Sequence, residues 1–214
     1  MTRSTLLLLA GACLAAAQAL QAAQPQPDRR TPEMSDVIEL TQGIPWRNGE
    51  AALGLSNVFV DGGAPRAQLS FIDAPSGDPD VTLASGAVLP VGGRFVQVGA
   101  IVPAAGGTRA TVQLQPVADA GGIAPPDAGH PVLLQQGRLR TGGGWIAAID
   151  IAPDTAIVER WPLGQARSRL SSDAVETRTL RVGDTLDTGD AQLRVLRIQP
   201  PAGELLGFVE LVAD

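Results

Sequence analysis

One histidine, two clusters of aspartate, three tryptophans and an arginine-bearing stretch are the places where this 214-residue sequence could do chemistry. His130 stands alone between Gly129 and Pro131. A Ser-His-Asp triad would need it as the base, and a zinc site normally draws on more than one His or Cys. No nucleophile motif surrounds it, so it is expected to be an exposed, inert linker residue. Asp73, Asp78 and Asp80 form one acidic cluster, and Asp184, Asp187 and Asp190 another. Neither has the Asp-x-Asp-x-Asp-Gly spacing of a helix-loop-helix calcium site, and Asp is a preferred turn residue through its own hydrogen bonds to the backbone. No catalytic residue, metal site or cofactor is therefore expected, and a hydrolase built on paired carboxylates is the least favoured reading. Trp46, Trp145 and Trp161 could stack on sugars, but with aromatics at 3% they are read first as core or strand-edge anchors. Arg160, Arg167 and Arg169 lie in or beside a long polar loop running from Gly164 to Ser172, and such loops carry function more often than the scaffold does. These three arginines, with Trp46, are the candidate interaction residues.

Composition removes other chemistries. All 16 basic residues are Arg, against 22 acidic ones, for a net charge of −6. Without Lys there is no Schiff base, no Ser/Lys dyad and no P-loop lysine. Without a basic excess, nucleic acid is not an expected partner. The hydrophobic fraction of 44% is ample for a folded core.

Residues 1–23 read as a secretory signal peptide: Arg3, an apolar run from Leu6 to Leu20, then small residues suited to cleavage. The apolar run falls short of the ~20 residues that span a bilayer, so no transmembrane span is expected in the mature chain. Residues 24–35 form an exposed, Pro-bearing lead-in. Cys13 could be lipidated, but the place three before it is Ala10 rather than a large aliphatic, and the run stays apolar after it. The expectation is a periplasmic or secreted protein, with a lipid anchor through Cys13 as the alternative.

The most specific feature is an internal repeat. Laying 82–114 over 179–211 gives twelve identities in 33 positions, among them Thr82, Leu83, Gly86, Leu89, Val98, Ile101, Val112 and Leu114 against Thr179, Leu180, Gly183, Leu186, Val195, Ile198, Val209 and Leu211. Chance would give roughly three. Upstream, Gln42-Gly43 and Gly49 fall opposite Gln136-Gly137 and Gly143 at an offset of 94. The matched Gly positions read as turns and the matched aliphatics as a core. Val112 and Leu114, like Val209 and Leu211, alternate with other residues at the period of a half-buried strand. Val98 to Ile101 and Val195 to Ile198 break that period alike, which predicts a β-bulge near Gly99 and near Leu196.

Short β-leaning segments at 37–41, 53–60, 68–72, 132–140, 145–151 and 156–161 are separated by Gly, Pro and Asp clusters, and no stretch has a helical period. The expected fold is all-β: two tandem, internally repeated sandwich or barrel-like domains at 36–117 and 132–214, joined by a polar linker at 118–131. The order Gln42-Gly43-Ile44-Pro45-x-Arg47, a strand pair, Thr-Leu-x-x-Gly and a closing strand pair resembles a small uncharacterised bacterial β domain family. Thr179-Leu180-Arg181-Val182-Gly183-Asp184-Thr185-Leu186 is the closer match, while the first half has Ala87 and Val88 in place of the Asp and Thr. The resemblance implies a fold and no activity. The functional expectation is an exported, non-enzymatic interaction or scaffold module of the bacterial envelope whose partner is an envelope protein, with small-ligand or glycan binding as the alternative.

Overall fold

The computed structural model describes residues 37–48, 51–72, 80–189 and 191–213. The signal peptide, the lead-in, Cys13, Asp73, Asp78 and Asp190 lie outside the described residues. The described chain is all-β, with two 3-10 turns at Arg167–Arg169 and Ser172–Ala174. No helix among the described residues is long and apolar enough to cross a membrane.

Among the described residues sixteen strands follow one another: β1 (Ile38–Thr41), β2 (Trp46–Asn48), β3 (Ala51–Asp61), β4 (Ala64–Ile72), β5 (Asp80–Leu83), β6 (Val88–Val91), β7 (Arg94–Val102), β8 (Thr111–Val117), β9 (Val132–Leu134), β10 (Arg138–Thr141), β11 (Gly144–Ile151), β12 (Ala156–Trp161), β13 (Glu176–Leu180), β14 (Thr185–Asp187), β15 (Gln192–Gln199) and β16 (Phe208–Ala213). They form three sheets, in the orders β1-β8-β7-β6, β13-β12-β11-β10-β5-β4-β3-β2 and β14-β15-β16-β9. Adding eight to each strand number turns the first sheet into the third, and one end of the long sheet into the other. The long sheet is joined in its middle, where β10 lies antiparallel to β5 with Arg138 opposite Asp80.

The register shifts fall where the broken period puts them. Val98 pairs with Leu114 and Ile101 with Val112, so one extra residue sits on β7; Val195 with Leu211 and Ile198 with Val209 repeat this on β15. A second pair of shifts, at Leu55/Asn57 on β3 and Ala148/Asp150 on β11, was not anticipated.

The expected single segment at 132–140 is instead two strands in different sheets. Gln136 takes a φ of 58°, the only positive value on a described residue other than Gly, and Gly137 N–H closes a turn on the Leu134 carbonyl at 2.9 Å. In the first half the matching turn closes from Ile44 N–H to the Thr41 carbonyl at 3.0 Å, with Gly43 at φ 76°. The structural offset is therefore 93, not 94, and Gln136 occupies the position that Gly43 fills. A left-handed residue with a Cβ costs roughly 1–2 kcal/mol, less what Gly loses in chain entropy. Gln136→Gly is expected to raise stability by about 0.5–1 kcal/mol, read as a higher denaturant midpoint with an unchanged slope.

Two clusters of buried side chains form the core. One gathers Leu40, Leu53, Leu69, Leu83, Val96, Val112 and Leu114 of the first half, and also Leu134, Leu205 and Phe208 from the second. The other, with Leu133, Leu139, Ile146, Val158, Leu193, Val209 and Leu211, belongs to the second half alone. Alternation on β9 and β16 explains this sharing: Leu133 and Val209 face one core, Leu134 and Phe208 the other. The last strand is thus buried on both faces rather than half-buried. Backbone bonds reinforce the contact, from Val88 N–H to the Glu204 carbonyl at 2.8 Å and from Leu206 N–H to the Val88 carbonyl at 2.9 Å. Residues 35–214 form one compact unit.

Candidate functional site

The most chemically loaded hollow lies at the open side of the second half, between the edge strands β13 and β14. It is a cleft of about 230 Å³ lined by Ile146, Val158, Arg160, Glu176, Arg178, Leu186 and Asp187. Strand alternation brings these residues together. Ile146 pairs with Arg160, Arg160 with Glu176, and Val158 with Arg178, so the charged side chains continue the row whose buried members are Ala156, Val158 and Leu180. Ile146, Val158 and Leu186 give the cleft an apolar floor, and the two arginines and two carboxylates form its rim. Neither Arg160 nor Arg178 makes a hydrogen bond or ion pair among the described residues. A second hollow of about 310 Å³ adjoins it on Arg160 and Glu176, and is lined further by Trp161, Pro162 and Asp173.

The corresponding place in the first half is apolar and closed. There Leu53 pairs with Phe71, and Leu69 with Val81, so Phe71 and Val81 stand where the second half has Arg160 and Arg178. Phe71 packs against the core and Val81 is buried. β10 covers the β5 edge, the 204–206 segment bonds to β6, and Leu134, Leu205 and Phe208 fill the interior. Among the described residues, the equivalent edges β13 and β14 pair only inward, with β12 and β15.

The four interaction residues singled out in the sequence do not make one patch. Arg160 reaches the cleft. Arg167 lies on the other face of the long sheet, where its Nε and Nη2 donate to the two oxygens of Glu159 at 2.6 and 2.9 Å. That fork holds the Glu159 carboxyl below its ordinary range, against the opposing pull of burial. Neighbouring strand residues point to opposite faces, so Glu159 and Arg160 separate Arg167 from the cleft. Arg169 is exposed in the 3-10 turn. Trp46 sits on β2, the far edge strand of the same sheet, and packs against the first core. Trp161 is 5% exposed, and the Trp145 ring carries the Arg138 guanidinium 4.5 Å from its centre.

Sequence reasoning missed Arg178 and Glu176. The signal was present: at the repeat offset of 97, Arg178 falls opposite the aliphatic Val81, a charge where the other half has a core residue.

His130 is not the exposed linker residue expected. Its Nδ1 lies 2.8 Å from Oε1 of Glu210, which is buried at 4% exposure on the Phe208 face of β16. The same oxygen accepts the Asp127 N–H at 3.1 Å, and Arg197 Nε donates to the other oxygen at 2.9 Å. Arg197 also donates to the Ala124 carbonyl at 2.9 Å and lies over the Phe208 ring. The ligand atoms of Asp127, His130 and Glu210 lie within 4.8 Å of one another, the spacing of a metal-binding triad. With both Glu210 oxygens engaged by protein donors, the group acts as a clasp that fixes the 118–131 connection onto the last sheet. Burial raises the Glu210 pKa, but the His130 and Asp127 bonds and the Arg197 charge together outweigh it and leave the carboxyl below its ordinary value.

Among the second group of aspartates, Asp184 accepts the Arg181 N–H at 2.9 Å and Asp187 the Gly189 N–H at 2.8 Å, the local bonds of turn residues. No family model matches this chain, and neither a curated protein nor a solved structure matches it.

Proposed function

We propose that this chain is an exported, non-enzymatic interaction or scaffold module of the bacterial envelope, built from two copies of one β domain. In this reading the copies occupy 36–117 and 132–214, follow a signal peptide at 1–23, and are akin to the small bacterial β domain family that each half resembles. Strand orders that repeat on adding eight support the duplication. The observation that carries the function is the difference between the two open sides. The first copy's is closed by the second copy, whereas the second copy's keeps the β13 edge and an adjoining cleft where Arg160 and Arg178 make no hydrogen bond or ion pair among the described residues. A free strand edge beside a side-chain cleft is how sheets take up an extended partner: main-chain bonds give affinity and the cleft gives specificity.

The test is capture from the envelope extract of the source organism, with wild-type protein beside the Arg160→Ala/Arg178→Ala double variant. The expected result is one protein partner held in stoichiometric amount by the wild type and released by the variant. Capture of no protein overturns the interaction reading.

The second reading, a small-ligand or glycan binder, is favoured by one observation: Trp161 lines the hollow that shares Arg160 and Glu176 with the cleft. Binding there would perturb tryptophan fluorescence. An unchanged spectrum across a panel of sugars and cell-wall fragments would remove this reading.

A further inference from the structure

We infer that β13 is a self-complementary edge, and that two copies of the chain pair through it about a two-fold axis at Thr177. The inference rests on the edge-pairing reading above and names the partner as a second copy.

β13 reads Glu176-Thr177-Arg178-Thr179-Leu180, and its first four residues are exposed. Its inner side is paired along its length to β12, while no strand among the described residues lies on its outer side. The side chains of Glu176, Thr177 and Arg178 make no hydrogen bond or ion pair among the described residues. Lay a second β13 antiparallel on the first with Thr177 opposite Thr177. Glu176 of each chain then stands directly opposite the partner's Arg178, so one axis creates two identical cross-strand ion pairs and a Thr–Thr pair. Both kinds of pair favour strand association. Moving the axis one residue either way sets Arg178 against Arg178 or Glu176 against Glu176, which is repulsive. The charge pattern thus selects both antiparallel direction and register.

The geometry also continues one already present. β5, the first-half equivalent of β13, carries β10 antiparallel on its outer side. The residue types agree with an edge meant to meet a polar surface, because Arg178 replaces the core aliphatic Val81 at the matching place. β2, the other end of the long sheet, is a poorer edge: it spans three residues and follows Pro45, which has no N–H to donate.

The test is sedimentation of the full chain carrying Cys13→Ser, with charge variants and one cysteine variant. The parent is expected to sediment at twice the 22.0 kDa of one chain. Glu176→Arg and Arg178→Glu each turn two attractive pairs into two like-charge pairs, and each is expected to raise the dimer dissociation constant roughly tenfold or more. The double exchange, Glu176→Arg with Arg178→Glu, rebuilds both pairs with signs reversed and is expected to restore the dimer. That recovery is not open to a variant that merely misfolds. Thr177→Cys should cross-link spontaneously, since directly opposed residues lie about 4.5–5.5 Å apart between Cα atoms, within disulfide reach. Thr179→Cys, which faces Val175 of the partner subunit, should not.

A parent that stays monomeric, a dimer indifferent to both single reversals, or equal cross-linking at 177 and 179 would each overturn the inference. A monomer that still captures a protein partner through Arg160 and Arg178 defeats self-pairing alone. A monomer that captures nothing defeats the interaction reading as well.

Discussion

Glu210→Ala is expected to lower the melting temperature by about 10 °C. The carboxylate is buried on β16 and receives bonds from His130, the Asp127 N–H and Arg197. Removing one partner of a buried ion pair costs about 3–5 kcal/mol, and with Arg197 and His130 still part-exposed to water the cost here falls at the low end of that range. Each kcal/mol is worth roughly 2–4 °C in a chain of this size. Glu210→Gln keeps an acceptor for the Asp127 N–H and should fall between the two. The pH dependence has a definite sign. The folded pKa of Glu210 lies below the ordinary value of 4.5, so its contribution is fully present above that value and is lost as pH falls through the folded pKa. Melting temperature measured from neutral to acid pH should therefore fall less for Glu210→Gln than for the parent, and the gap between them should narrow below about pH 4. Parallel curves would show that the charge adds nothing to the clasp.

Phe208→Ala is expected to be of similar size and a different kind. Phe208 is fully buried, sits 6.3 Å from the Phe95 ring centre, and belongs to a strand of the second half while filling the core of the first. Truncating such a ring costs about 3–5 kcal/mol. The loss falls on the contact between halves, so calorimetry should show the single transition broadening or dividing in two. Leu69→Ala, of comparable burial but internal to the first half, should lower the midpoint without dividing it. A Phe208→Ala protein that melts as sharply as the parent would mean that the halves are held together elsewhere.

Local pattern was legible where one face of a strand decides its fate. Ala156–Trp161 alternates and is bounded by Asp154 and Pro162, and it forms a strand with those limits. The broken period at Val98–Ile101 and Val195–Ile198 could be read as a bulge because the aliphatic positions record the slip directly. Burial imposed by the other half was not legible. Phe208 and Glu210 look like the outward row of a half-buried strand, and only packing against Leu134, Leu205 and the connection turns that row into an interior. Val132–Arg140 reads as one strand because the left-handed residue at its break is Gln136 and not the neighbouring Gly137. The candidate site was half legible. Arg160 was found from its loop, but Arg167, close in sequence, belongs to the opposite face. A list of arginines by sequence proximity cannot tell the two faces apart.

The joint between β5 and β10 brings together two edges that are not equivalent, and a contact of that type has no built-in end. Repeated by further chains, it would yield a filament. Both terminal surfaces have lost what the internal joint uses: Thr41 and Thr111 stand at the places of Leu134 and Phe208, and Arg160 and Arg178 at those of Phe71 and Val81. Growth by copying that joint is therefore blocked at both ends after two halves. A contact at β13 about a two-fold axis uses the same edge twice and closes on itself. Its product would be a closed body of two chains, of fixed valence and with no β13 edge left to extend it.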